Sequence, residues 1–280
     1  IVLAEDGKKM SKRLQNYPDP MEIVEKYGAD ALRLYLLASP VMMAENLNFS
    51  EKGITEWKSV LTRLENVLSF YQLYRADVAH APSDVSTHVL DRWIIARLHQ
   101  VHEEITEAMN AYNLVAATRP LALFIDDLST WYLRRSRERI KNGEKDAFAT
   151  TLFVLRETSK LIAPFAPFRA EHLWQELKTE KDEESVHLTM WQEEIVANQE
   201  VLTNMQFARY FVTQALMQRS EANIRVRQPL TRLVINHAGP APAGWEDVVP
   251  IIEDEVNVKE VLLRELGKDQ PPFVLLEKNI

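Results

Sequence analysis

The stretch LDRWIIARLHQVHEEITEAMNAY, Leu90 to Tyr112, decides the fold class. Leu90, Trp93, Ile94, Leu98, Val101, Ile105, Met109 and Tyr112 recur in it at steps of three and four. At 3.6 residues per turn such positions share one face, so the stretch predicts an amphipathic helix of about six turns with one apolar stripe. A stripe of that kind needs a facing apolar layer, and the flanking sequence offers more helices.

Downstream, PLALFIDDLSTWYLRRSRERI repeats the pattern through Leu121, Phe124, Ile125, Leu128 and either Trp131 or Tyr132. Pro120 is expected to start or kink this helix, because it has no N–H and clashes one turn back. DAFATTLFVLRETSKLI predicts a third helix, with Asp146 as N-cap and Phe148, Leu152, Leu155 and Ile162 facing inward. APFAPF stops it, and RAEHLWQEL makes a short further helix. Upstream, ITEWKSVLTRLENVLSFYQLY reads as another amphipathic helix. KTEKDEES, residues 178–185, reads as a solvated loop where the bundle ends. Beyond it the texture changes. EVLTNMQFARYFVTQALMQRSEAN is helical, whereas LTRLVINH and VNVKEVLLRE carry the β-branched runs of strands, with the turn-rich AGPAPAG between them. The expected fold class is mainly α: an antiparallel helical bundle followed by a small α/β module that begins near residue 199.

Composition narrows the function classes. The 280 residues suffice for two domains and part of a third, and 46% hydrophobic with 26% charged residues is ordinary for a folded soluble protein. No run of eighteen apolar residues predicts a membrane span, and the opening IVLAEDGKK has its charges on the wrong side for a signal peptide. With no initiator Met, the chain reads as a piece of a longer protein. Zero cysteines exclude disulfides and thiolate zinc sites, and the seven scattered histidines show no ligand spacing, so no metal site is expected within the chain. A net charge of −8 argues against a nonspecific DNA coat but leaves room for a local basic surface.

No catalytic constellation closes on itself. Asp126 and Asp127 are adjacent on a helix and point about 100° apart, so they do not form a carboxylate dyad; pairing with an arginine accounts for them better. Two basic features remain. In WYLRRSRERIK, Trp131 and Tyr132 precede Arg134, Arg135, Arg137, Arg139 and Lys141. Aromatic rings beside guanidinium groups suit RNA, which offers bases to stack and phosphates to hold. The competing reading puts the aromatics in the core and the arginines at a helix end favoured by the dipole. The second feature is EDGKKMSKRLQNYPDP, Glu5 to Pro20, in which Lys8, Lys9, Lys12 and Arg13 surround Gly7 and Ser11. A lysine ammonium at ~4 Å from a phosphate charge contributes roughly 4 kcal/mol at a surface-like dielectric, before desolvation. Such a loop suits a transition state in which pyrophosphate leaves and negative charge grows.

These segments together resemble a known family. DGKKMSKRLQNYPDP resembles the KMSKS signature loop of class I aminoacyl-tRNA synthetases, in the KMSKR form of isoleucyl-tRNA synthetases of the eukaryotic and archaeal type. YGADALRLYLLASPVMMAENLNFSEKGITE is similar to the family's stem segment. The segment from Leu90 to Ile140 is similar to its anticodon-binding bundle. LIAPFAPFRAEHLWQEL and SVHLTMWQ match the bundle's end, and EANIRVRQPLTRLVI with EVNVKEV its C-terminal junction module. The resemblance implies three parts: residues 1–53 as the signature loop and stem segment ending a catalytic domain, 54–195 as the anticodon-binding domain, and 196–280 as the junction module.

It implies that Lys9 and Lys12 stabilise the adenylate-forming transition state, and that Lys9, Met10, Ser11, Lys12 and Arg13 line the ATP phosphates. Arg13 stands where many relatives have Ser, and Gln15 where many have Gly, departures that belong to the KMSKR form or lie close to it. The RNA-binding residues expected are Trp131, Arg134, Arg135, Arg137 and Arg139. The implied cofactors are ATP and Mg²⁺, and the implied partner is tRNA(Ile). Isoleucine and most of ATP would be held by an N-terminal part, with the HIGH motif and editing insertion, that this sequence lacks. A cytoplasmic monomer is the family's habit. Two other readings stay open: a noncatalytic tRNA-binding module, or the equivalent part of a valyl- or leucyl-tRNA synthetase.

Overall fold

The computed structural model describes residues 1–11, 13, 16–75, 81–192, 196–266 and 272–277. The chain divides into two compact units, Ile1–Ala197 and Asn198–Ile280.

The first unit opens on a short strand, β1 (Val2–Leu3), and two consecutive helices, α1 (Pro20–Tyr27) and α2 (Ala29–Leu37). The Asp19 carboxylate caps α1 by accepting the Met21 N–H at 2.7 Å, Pro20 takes the first helical position, and Gly28 at φ +91° separates the two helices. Strand β2 (Leu47–Asn48) returns to pair in parallel with β1. Helices α3 (Glu51–Arg75), α4 (Val89–Asn110), α5 (Leu114–Asp126), α6 (Arg134–Lys141), α7 (Lys145–Ile162) and α8 (Pro167–Leu177) build the bundle. Helix α4 lies against α5 and α7, α3 against the same two, and α7 against α8.

The apolar stripe that predicted this bundle is its centre. Trp93, Ile94, Leu98, Val101 and Ile105 are all at most 3% exposed. Fully burying a side chain of this size contributes about 1.5–3 kcal/mol before entropy is subtracted. The stripe ends sooner than expected, because Tyr112 is 92% exposed and sits at φ +55°. The Asn113 N–H reaches the Ala108 carbonyl and the Tyr112 N–H that of Met109, so the chain leaves α4 through a Schellman turn.

Pro120 does not start its helix. Asn113 caps α5 by accepting the Ala116 N–H at 3.0 Å, and the helix runs through Pro120. From Asp127 to Leu133 the rod is wound as a π-helix before α6 resumes. The wider winding shifts the apolar face by one position, which places both Trp131 and Tyr132 in the core. Asp146 is not a cap either: α7 begins at Lys145 with Glu144 in the cap position. The acidic stretch after α8 is a largely exposed loop, as expected, and it is anchored to the bundle at two points. Asp182 takes two bonds from the buried Arg156, at 2.9 and 2.5 Å, and the Glu183 carbonyl accepts the Trp174 indole N–H at 2.9 Å. The guanidinium holds the Asp182 carboxyl well below the usual carboxylate range.

Three half-buried histidines lie at or on α4. Burial holds His88, His99 and His102 below the ordinary imidazole value of 6.5, and the Arg139 charge adds to this at His88. His88 is also the cap of α4, its Nδ1 accepting the Leu90 N–H at 3.2 Å, which only an unprotonated nitrogen can do. The folded pKa therefore lies below the unfolded one, and the unfolded chain takes the proton first as pH falls. The contribution is complete above pH 6.5 and is lost as pH falls through the folded value. The thermal midpoint is expected to drop between about pH 7 and pH 5, and His88→Asn, which keeps a cap acceptor, to drop less; equal slopes for both proteins would refute the assignment.

The second unit is the α/β module. Helix α9 (Gln199–Glu221) leads to β3 (Arg232–Ala238), then α10 (Val249–Val256), β4 (Val261–Leu266) and β5 (Phe273–Glu277). The sheet order is β4-β3-β5, with β3 parallel to β4 and antiparallel to β5. The expected strand over VNVKEVLLRE is shorter than read: Val256 ends α10, and β4 starts at Val261.

Candidate functional site

The basic loop near the start is held by its own backbone and by one asparagine. Gly7, at φ +76°, donates its N–H to the Ala4 carbonyl at 2.9 Å, and the Ala4 N–H reaches the Lys8 carbonyl at 2.8 Å. This turn lets Lys9 bridge Leu3 next to the β1–β2 pair. The Asn16 amide oxygen accepts the Ser11 N–H at 2.9 Å, and its NH₂ donates to the Lys9 carbonyl at 3.1 Å. Asn16 thus fixes the backbone of Lys9, Met10 and Ser11 from five to seven residues away. No sequence signal singles it out, since an Asn before Tyr-Pro reads as an ordinary turn residue.

The lysines divide. Lys8 pairs with Asp6 at 3.0 Å and holds the Asp6 carboxyl down, but both are exposed, so the pair adds little. Lys9 and Arg13 are exposed and have no carboxylate partner among the described residues. Met10 and Ser11 are half-buried. Lys12 and Gln15 lie outside the described residues. A fixed backbone carrying a free ammonium and a small hydroxyl suits phosphate oxygens. Among the described residues no group of three or more His, Asp or Glu side chains could hold a metal ion.

The arginine run of the bundle also divides. Arg134 and Arg137 are exposed, and Arg135 is half-buried. Arg135 and Arg134 lie 5.1 and 5.9 Å from the Trp131 ring, and Arg137 lies 5.8 Å from the Phe70 ring. Trp131 and Arg139 lie on the inner side of this run. Trp131 is only 9% exposed, with the Arg134 and Arg135 guanidinium groups beside its ring. Arg139 turns inward and donates to both oxygens of the fully buried Asp91, at 2.8 and 2.7 Å, and to Glu144. Asp91 also accepts from Tyr132 at 3.0 Å and from Ser86 at 2.9 Å. Burial, reinforced by the Asp91 charge, pushes the Tyr132 phenol well above its ordinary value. Asp127 accepts from Arg97 at 3.0 Å while Asp126 faces Arg63 at 3.7 Å, so the adjacent acids serve separate partners.

An open cleft of about 600 Å³ is lined by Tyr27, Lys58, Asp30, Phe168, Arg169 and others. Its polar groups are committed to structure. Asp30 accepts the N–H groups of Phe168 and Arg169 at the start of α8, Arg169 and His172 meet Glu65, and Lys58 donates to the Lys26 carbonyl.

Comparison with known proteins matches two segments of the chain to family models. Residues 1–48 match the family model described as tRNA synthetases class I (I, L, M and V). The chain is 44% identical to the isoleucine–tRNA ligase of Chlamydia muridarum over 93% of its length, and 43% identical to that of Chlamydia caviae over 98%. It spans about a quarter of each relative, 26% and 27%. The LeuRS of Agrobacterium radiobacter K84, solved in a ternary complex with tRNA and LeuAMS, shares the fold at a TM-score of 0.55 and 18% identity, over 96% of this chain and 33% of that one. Residues 91–235, just over half of the chain, match the model described as the anticodon-binding domain of tRNA ligase, and the chain belongs to that family.

Proposed function

We propose that the chain is the part of an isoleucine–tRNA ligase that carries the signature loop and the tRNA grip. The parent protein would activate L-isoleucine with ATP and transfer it to tRNA(Ile) in the cytoplasm, acting as a monomer. The observation that carries the reading is order on one chain: a class I synthetase match over residues 1–48, then an anticodon-binding match over 91–235.

In this reading Lys9 and Lys12 neutralise ATP phosphate charge as pyrophosphate separates. Met10, Ser11 and Arg13 complete the loop's contact, and Asn16 positions it. Mg²⁺ arrives with the nucleotide and is held outside this segment. Residues 1–53 end the catalytic domain, 54–195 hold the anticodon side of the tRNA, and 196–280 form the junction module. Arg134, Arg135 and Arg137 face the RNA, whereas Trp131 and Arg139 hold the bundle together.

The test is direct binding. The 280-residue chain is expected to bind tRNA(Ile) with an affinity that falls as salt rises. Arg134→Gln with Arg137→Gln should weaken it roughly tenfold and flatten the salt dependence by about one unit of slope per lost contact. A chain that binds no tRNA even at low salt would overturn the RNA-binding reading.

A further inference from the structure

The loop between α9 and β3 is built at unusual expense for what it displays. Arg225, Val226, Arg227 and Gln228 are all exposed, Val226 at 47%. Their backbone is nevertheless pinned from beneath. Arg219, 1% exposed, donates to the Arg225 carbonyl at 3.1 Å, to that of Gln228 at 3.0 Å and to that of Asn257 at 2.9 Å. Asn257, at φ +53°, donates its side-chain amide to the Val226 carbonyl at 2.8 Å. The Gln228 N–H closes the turn on the Arg225 carbonyl at 2.9 Å.

A buried guanidinium loses its hydration and must recover it through hydrogen bonds. Two of the three carbonyls that Arg219 bonds, those of Arg225 and Gln228, belong to this exposed loop. The Arg225 and Arg227 side chains have no carboxylate partner among the described residues; Glu221, the nearest acid before them in sequence, pairs with neither. Three guanidinium groups within nine residues repel one another, so an anion laid across the loop relieves the repulsion as well as adding contacts. A rigid scaffold that presents loop residues outward is the usual construction of a recognition site.

We propose that Arg225 and Arg227 form a preshaped grip for the phosphate backbone of RNA, with Arg219 and Asn257 as the positioning residues that set its geometry. The planar fork of arginine matches phosphate oxygens in pairs, and a fixed backbone lowers the entropy lost on binding. The inference rests on the RNA-binding reading above, and adds to it a contact on the second unit.

The test is tRNA binding by the 280-residue chain, followed by fluorescence anisotropy from about 50 to 200 mM salt. Arg225→Gln with Arg227→Gln should weaken binding roughly tenfold and lower the salt slope by about 1.5, while Arg225→Lys with Arg227→Lys keeps most of the slope. Both variants should keep the far-UV spectrum and melting temperature of the parent, because the loop is held through its carbonyls and not through these side chains. Wild-type chain that binds while the Gln variant binds equally well overturns this inference alone. Wild-type chain that binds no tRNA overturns the RNA-binding reading, and this inference with it. Polyglutamate that competes at the loop as well as RNA of equal charge would assign the grip to an acidic peptide and likewise overturn it.

Discussion

Replacing Asp91 with Ala is expected to destabilise the helical bundle by about 3–5 kcal/mol. The carboxylate is fully buried at the start of α4 and satisfies four donor groups from three residues at once: both terminal nitrogens of Arg139, the Tyr132 hydroxyl and the Ser86 hydroxyl. Truncation leaves a guanidinium that is 14% exposed with Glu144 as its remaining carboxylate, and a buried phenol whose other acceptor, the Ala147 carbonyl, stands 3.5 Å away. Leaving such groups unpaired costs more than the pair itself contributes, because their desolvation is no longer offset. Urea unfolding followed by helix ellipticity checks the value, and a loss below about 1 kcal/mol would show that the network adds nothing. Asp91→Leu with Arg139→Met should recover part of the loss, since an apolar pair needs no partner. A tRNA-contacting role for Arg139 would instead leave stability nearly unchanged on substitution.

Substituting Lys12 with Ala in the parent enzyme is expected to slow isoleucine-dependent pyrophosphate exchange roughly 10²–10³-fold, the usual loss when one preorganised charge donor to a transition state is removed. Isoleucine binding should change little, because the ammonium is proposed to act on charge that grows as pyrophosphate leaves. Lys9→Ala should show the same pattern. Asn16→Ala should produce a weaker version of it, because Asn16 holds the Lys9 and Ser11 backbone and carries no charge of its own. If exchange by the Lys12 variant equals that of the parent, the phosphate role of the loop is wrong, whatever becomes of the tRNA-binding reading. A rise in the Michaelis constant for isoleucine alone would also count against it, since that would mean uniform binding had been lost.

Much of the fold follows from local pattern. The steps of three and four from Leu90 to Ile105 place those side chains on one face in any helix, so the stripe, its burial and the need for partner helices are all present in the sequence. The change of texture near residue 199 likewise announces the α/β module, because helix and strand periods differ. The basic loop is legible as a candidate for phosphate, since ammonium groups beside a glycine and a serine carry that chemistry whatever packs around them.

What the tertiary structure alone decided is which charged and aromatic groups face in. The period left Trp131 and Tyr132 as alternatives, and a π-wound turn buries both. Five basic and aromatic candidates looked equivalent along one helix, yet Arg139 is drawn inward by a carboxylate 48 residues earlier in the chain. Asp182 looked like one solvated acid among several until Arg156, 26 residues before it, claimed it. Asn16 and Arg219 carry no local signal, because each acts by bonding backbone carbonyls or N–H groups whose positions exist only once the chain has folded. Periodicity is a property of neighbours along the chain, whereas a buried charge is settled by whichever partner packing brings within about 3 Å.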